Sequence, residues 1–401
     1  MDLQSEEHPL QSTSGTPLTQ QTATATPSLA LLHACMLLSG LGTVFLGPVL
    51  PALATNAGTT DSGSGLFFAA QFLGAFFGGV TTSRRLWFSL IRGSLAATLG
   101  FAALCLCTSA HTSQWYDIAA LLPLGFGVGQ MLTSVNLLAS QRFTQDRGAA
   151  LSLVNFSLSL GAVAAPFALG SLLPHTSLNA LLGWTATLFG AACVFAFVNS
   201  RQGAPQSRAA AVTATQAPIL GKPAFLYFAS LLFLYGGVET SLSGWITTFA
   251  TRYGNGALQT STLGATALWC GITAGRALAP LALKRLSEST LLRGSLATAA
   301  VLIAWLSQTN SALTIILASA LLGITLAPWF PLVLSAMLGE GAAAGEVGTI
   351  IAVSGLGAAA LPWLVGNVSH ATGSLRIALM LPLFALLILL VLSFRRTRTT
   401  A

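Results

Sequence analysis

Glu239 is the one acidic residue that falls deep inside an apolar run of this chain, in the stretch from Phe233 to Gly254, FLYGGVETSLSGWITTFATRYG. A carboxylate at bilayer depth costs about 2.5 kcal/mol or more even on lenient insertion scales, so an acid kept there points to function. Desolvation favours the neutral carboxyl. Such a group can take a proton when water reaches it from one side and release it toward the other, which makes Glu239 the candidate proton-coupling residue. Its plain alternative is a neutral acid bonded permanently to a neighbouring helix. A sodium ion is the alternative coupling ion, although one carboxylate is a thin set of ligands for it.

Other polar and aromatic residues within apolar runs supply the candidate substrate contacts: His33, Gln71, Gln130, Asn136, Asn155, Trp245, Trp269, Thr273 and Trp329. An amide both donates and accepts, and an indole face stacks on sugar C–H groups. The set therefore suits a polyhydroxylated, uncharged ligand. No cluster of cations within the runs awaits an anion. Each type also has a structural use. Gln and Asn bridge neighbouring helices through hydrogen bonds worth about 0.6 kcal/mol, Trp packs or sits at the membrane interface, and His33 can close an interhelical bond.

Elements that carry these residues through lipid follow from composition. With 54% apolar residues, 7% charged residues and a mean hydropathy of +0.76, the chain lies far from a soluble domain, in which about a quarter of residues are charged. Spanning segments must be helices or closed barrels. The apolar runs are about 20 residues or longer, as helices need, and lack the alternation of barrel strands. The expected fold is an all-α membrane protein.

Residues 1–27 are rich in Ser, Thr, Gln and Pro and contain no Lys or Arg. They read as a disordered tail without the basic start of a signal peptide. Twelve segments follow, at about 28–54, 64–80, 90–110, 117–140, 149–173, 178–198, 223–251, 258–283, 291–307, 311–338, 347–368 and 375–394. The polar connection 199–222 divides an N-terminal bundle, 28–198, from a C-terminal bundle, 223–394, and 395–401 form a second tail.

Placement of the basic residues explains the formal net charge of +7 without nucleic acid. Arg84, Arg85, Arg92, Arg142, Arg147, Arg201, Arg208, Lys222, Lys284, Arg285, Arg293, Arg395, Arg396 and Arg398 all fall on one side of the expected topology. Arg252 and Arg376 fall on the other. The positive-inside rule then puts both termini in the cytoplasm. The five cysteines lie within apolar runs, where a thiol behaves as a small hydrophobe. Cys105 and Cys107, with no His or acid beside them, read as packing rather than as a metal site. No catalytic constellation or cofactor loop is present, so neither an enzyme nor a cofactor is expected. The Asn155-x-Ser157 and Asn367-x-Ser369 sequons lie in or at spans and carry no glycosylation reading.

The chain also repeats itself. Gly237 and Gly244 lie 197 residues beyond Gly40 and Gly47, a register that sets Glu239 opposite Gly42. Gly74 and Gly78 map onto Gly271 and Gly275 at the same offset, Gly161-x4-Pro166 onto Gly357-x4-Pro362 at 196, and Leu124-Gly125 onto Leu322-Gly323 at 198. Two six-helix halves related by an axis along the membrane normal are implied, a parallel repeat.

GLGTVFLGPVLPAL, QFLGAFFGG, LVNFSLSLGAVAAPFALG, YGGVETSLSGWITTFATRYG, GRALAPLALKRL, APWFPLVLSAML and LPWLVGNVSHATGSLRIAL together resemble the fucose permease-like branch of the major facilitator superfamily. The resemblance runs from about residue 29 over nearly the whole chain. It implies a secondary transporter that works by alternating access and often carries a sugar with protons. It also places Arg276 and Arg285 in a gate-forming motif, where Arg276 would pair with Glu340 or Glu346 when the inner side is closed. The plain reading of Arg276 is snorkelling. The fucose permease has acids in helices 1 and 4. Here segment 1 has none, segment 4 has Gln130 and Asn136, and the 2/3 connection, GGVTTSRR, lacks the aspartate of the superfamily pattern.

The expected molecule is a monomeric twelve-helix carrier of a small uncharged solute, a sugar before others, driven by protons across a bacterial inner membrane. An exporter of amphipathic drugs is the alternative within transport. A transporter-like ligand sensor is the alternative outside it.

Overall fold

The computed structural model describes residues 28–83, 85–111, 113–142, 147–202, 220–255, 258–342 and 344–395. The tail 1–27, most of the central connection, the end of the second tail and Arg84, Arg208, Arg396 and Arg398 lie outside the described residues.

All regular structure among the described residues is helical. Eleven helices are long and apolar enough to cross a membrane, or twelve if the pair bent by 48° at Phe45 is one span. Span 1 is that pair, Leu29–Val44 with Leu46–Asn56. Spans 2 to 6 are Asp61–Val80, Leu86–Ala110, Gln114–Arg142, Arg147–Leu172 and Leu178–Gln202. Spans 7 to 9 are Lys222–Tyr253, Leu258–Leu283 and Glu288–Gln308. Span 10 joins Ala312–Leu326 to Trp329–Gly339, span 11 is Ala344–Thr372, and span 12 joins Leu375–Ala378 to Met380–Arg395. The expected segments reappear with ends moved by a few residues, mostly outward. Helices continue past the apolar limit wherever polar residues such as Asp61, Ser62 and Gln114 can hold the first turn at the interface.

Local chemistry explains starts and breaks. Ser28, Ser287 and Ser374 accept from the backbone N–H three residues on and so cap spans 1, 9 and 12. Pro48 brings no N–H to the Val44 carbonyl, and span 1 bends just there. In span 10, Pro328 and Pro331 do the same between Leu326 and Trp329.

The repeat has a packing counterpart. A Cβ on Gly161 of span 5 would strike the Leu37 carbonyl of span 1, and one on Gly357 of span 11 would strike the Phe233 carbonyl of span 7. Gly74 of span 2 meets the Leu122 carbonyl of span 4 as Gly271 of span 8 meets the Ala320 carbonyl of span 10. Small residues let backbones approach where lipid gives no hydrophobic drive between helices. The same approaches therefore recur in both bundles at the sequence offset. Side chains such as Leu106, Val301 and Leu313 stay exposed on the perimeter, as lipid-facing residues do.

The starts of spans 7 and 9 and the last turns of span 12 lie together at one end of the bundle, called here the terminal face. Tyr227, near the start of span 7, donates to the Leu392 carbonyl at 3.2 Å, and Arg293, near the start of span 9, donates to the Ser393 carbonyl at 3.1 Å. The opposite end is the far face.

Candidate functional site

Span 7 is a continuous helix of 32 residues, and Glu239 sits about 25 Å along it from Lys222 at 1.5 Å per residue. The carboxyl is therefore near mid-span and half-buried. One helical turn earlier, on the same face, Tyr235 donates to Glu239 Oε2 at 2.6 Å. The same hydroxyl lies 3.1 Å from the Leu326 carbonyl at the break in span 10. The Tyr235 ring stacks on Trp329, with centroids 5.1 Å apart and planes 12° from parallel. Trp329 is buried and its Nε1 has no partner among the described residues. Arg276 of span 8 lies close enough for its charge to act on Tyr235. This guanidinium also crosses between the halves, donating to Ser159 Oγ of span 5 at 3.3 Å.

The first bundle contributes bonded amides. Asn155 donates to Asn136 Oδ1 at 2.9 Å, which joins spans 5 and 4 one helical turn from Ser159. His33 Nδ1 lies 2.7 Å from Ser157 Oγ. Gln71 and Gln130 are buried inside the bundle. Gln71 Nε2 donates to the Gly42 and Thr43 carbonyls just before the bend in span 1, at 3.0 and 3.1 Å. Gln130 Oε1 accepts from Arg92 Nε at 2.9 Å. Each amide leaves one end, Gln71 Oε1 and Gln130 Nε2, without a partner among the described residues.

The remaining aromatic candidates separate. Trp245 is fully buried, donates to the Pro362 carbonyl at 3.1 Å and faces Phe68 across the halves at 5.9 Å. Trp269 is buried in span 8, and Thr273 Oγ1 bonds back to its carbonyl at 2.9 Å.

The four gate candidates lie on spans 8, 10 and 11 and in the turn after span 8. Arg276 meets Ser159, as above. Arg285 lies exposed in the turn after span 8, and Glu340 caps the end of span 10. Glu346 is buried and accepts from the Leu220 N–H at 3.1 Å, which ties the central connection to span 11.

Bonds between the halves gather at the far face. Arg252 Nη1 at the end of span 7 donates to Asp61 Oδ2 at 2.7 Å, at the start of span 2, and the second arm of the guanidinium completes a fork on Oδ1. Ser369 also donates to Asp61, and Ser62 donates to Asn367 Oδ1 at 2.6 Å. Beneath this clasp lies a cavity of about 340 Å³, lined by Thr55, Asp61, Ser64, Trp245, Thr248 and Arg252 among others. Sequence reasoning had counted Arg252 only as a loop charge and had not singled out Asp61. Tyr235 was missed although its spacing of four from Glu239 signals a shared face. Asp117, buried with Oδ1 unpartnered among the described residues, looked like a segment end. No group of three or more His, Cys, Asp or Glu among the described residues is placed to hold a metal.

With this geometry in hand, the profile of the Major Facilitator Superfamily matches residues 32–351. Among solved structures, a mutant of the nucleoside transporter NupG superposes with a TM-score of 0.70 at 13% identity, over 91% of this chain and 99% of that one. A D-xylose-proton symporter superposes with a TM-score of 0.68 at 14% identity, over 90% of this chain and 96% of that one. At such identities the likeness shows the shared fold. No match was found among curated proteins.

Proposed function

The chain belongs to the major facilitator superfamily and is a multi-pass membrane transporter, not an enzyme; from that premise we propose a proton-coupled carrier of a small uncharged solute, with a sugar as its first substrate class. The observation that carries this reading is a lone titratable acid at mid-span, half-buried, bonded to Tyr235 and flanked by the cross-half link from Arg276 to Ser159. A charge in hydrocarbon has to be neutralised or solvated. A carboxyl that takes a proton at one face and loses it at the other links that requirement to alternating access. The substrate contacts are assigned to Asn155 with its partner Asn136, one turn from Ser159, to His33, which meets Ser157 on the same span, and to Trp329, stacked on Tyr235, while the carriers named above, of nucleosides and of D-xylose with protons, have the same fold. The far-face clasp of Asp61 and Arg252 serves as one gate. Both termini lie in the cytoplasm of a bacterial inner membrane, by the side on which most basic residues fall.

The test is Glu239→Gln in reconstituted vesicles, with radiolabelled monosaccharides and nucleosides as probes. Uphill uptake driven by a proton gradient is expected to fall at least tenfold while downhill exchange of the same probe persists. Retention of gradient-driven accumulation by the variant overturns the coupling assignment.

A further inference from the structure

We propose that Tyr235 is the positioning residue that turns the protonation state of Glu239 into a hydrogen bond between span 7 and the break in span 10. This rests on the proton-coupling reading of Glu239 and extends it to the element that moves. A tyrosine hydroxyl has one proton to donate. Here it meets two acceptors, Glu239 Oε2 at 2.6 Å and the Leu326 carbonyl at 3.1 Å. It cannot serve both fully. The shorter contact has the length of an O–H donor on a charged carboxylate, so with Glu239 ionised the proton points at Oε2 and the carbonyl of span 10 is left weakly held.

Glu239 then takes a proton from water reaching the half-buried carboxyl. The neutral carboxyl now carries an O–H of its own and donates it to the Tyr235 oxygen. The phenol proton swings to the Leu326 carbonyl. Tyrosine keeps one proton throughout, and the only proton gained is the one that water delivers. The net change is a firm bond from span 7 to span 10, made just before Ala327 and Pro328, where span 10 is broken. Trp329, first residue of the second helix of that span, is stacked on the same ring. The switch therefore acts on the joint from which Trp329–Gly339 runs to the terminal face.

Among the described residues the surroundings bring one fixed charge to the pair, Arg276. Span 10 from Ala312 to Gly339, span 11 from Val347 to Ser369 and span 12 from Met380 to Phe394 contain no Asp, Glu, Lys, Arg or His, and neither does Leu46–Asn56 of span 1. Arg276 is the one charged residue on span 8 between Leu258 and Leu283, and its charge reaches Tyr235. Its link to Ser159 places a fixed positive charge beside the switch, with no proton of its own to exchange.

The experiment needs no substrate. In the full chain with its native cysteines replaced, spin labels go on Arg201→Cys and Gly339→Cys at the terminal face, the latter beside open space. Their separation is followed against pH together with the infrared carboxyl band that Glu239→Gln removes. In the parent protein band and separation are expected to titrate together. In Tyr235→Phe, which keeps the ring stack, the band should still titrate while the population ratio read by the labels loses about fivefold of its pH response, the worth of one hydrogen bond between neutral groups. A full response in Tyr235→Phe overturns the switch and leaves the coupling role of Glu239 standing. A band that does not titrate in the parent overturns the coupling role, and the switch with it. Should the variant fail to fold, the tyrosine C–O band of labelled parent protein decides. It must shift as Glu239 titrates and stay fixed in Glu239→Gln, and a band indifferent to pH in the parent overturns the switch.

Discussion

The sequence register of 197 sets Gly42 opposite Glu239, the carbonyl contacts of Leu37 and Phe233 match one residue off it at 196, and the surroundings of Gly42 and Glu239 differ in kind. Around Gly42 the first bundle is filled: a Cβ there would lie 2.7 Å from Val128 Cγ2 and 3.1 Å from Phe189 Cζ. Around Glu239 the second bundle makes room for a carboxyl and gives it Tyr235 as a donor. At the repeat offset of 197, Leu38 stands where the second half has Tyr235, and Gly79 where it has Arg276. The breaks differ too. The first half bends span 1 and keeps span 4 continuous, whereas the second keeps span 7 continuous and breaks span 10. A duplicated scaffold thus has one half that fills this place with apolar side chains and one half that holds a hydrogen-bonded carboxyl there, beside the break in span 10.

The largest effect expected from breaking this comparison is that of Gly42→Glu. It would put a carboxylate against the apolar side chains of Val128 and Phe189, the nearest neighbours of that position. The cost is about 3–5 kcal/mol, as for an uncompensated buried charge, and should appear as loss of monodisperse protein on detergent extraction. A well-folded variant would show that the first half has room after all. Gly42→Ala, which only overfills the site, should cost about 1–3 kcal/mol by thermal melt.

The far-face clasp sharpens the same contrast on a smaller scale. Asp61 and Arg252 are contributed one by each half, and their repeat counterparts are Leu258 and Thr55. The pair is therefore a feature of the interface and of neither bundle alone. Arg252 is 41% exposed, so solvent and salt screen the attraction and it is worth about 1 kcal/mol or less. Asp61→Asn is expected to raise thiol labelling of Thr248→Cys, in the cavity beneath, by up to about fivefold. High salt should do the same to the unaltered clasp. Labelling that is unchanged in both cases would mean that packing of Gly47 on Ser243 and of Phe68 on Trp245 closes the face without the ion pair.

Most of this scaffold was legible in the sequence because lipid imposes a length on every apolar run and topology imposes a side on the basic residues. The repeat was legible because close backbone approach demands small residues at fixed places. The prolines that break spans 1 and 10 were also in plain view, although the bends they cause depend on what packs alongside. The site was legible only at Glu239, where depth alone is informative. Its partners were not. A stack of Tyr235 on Trp329 and a clasp from residue 61 to residue 252 are set by tertiary packing, and amides that line a cavity have the same composition as amides that bridge helices. Gln71 and Gln130 illustrate the second point, since each is spent within the first bundle.

The smallest effect is expected at Gln71, and it separates those two uses of an amide. Gln71→Leu copies the residue that the second half carries at the same place, Leu268. The change removes two hydrogen bonds to the Gly42 and Thr43 carbonyls, each worth about 0.6 kcal/mol in a membrane interior. It also removes a buried Oε1 that has no partner among the described residues, and an unmet acceptor of that kind costs about 1–3 kcal/mol. The two terms oppose each other, so stability should move by about 1 kcal/mol or less, in either direction, and gradient-driven uptake should stay within about twofold. A variant that melts normally but no longer transports would mean that Gln71 turns to the substrate in another conformation. The first half would then do more than pack.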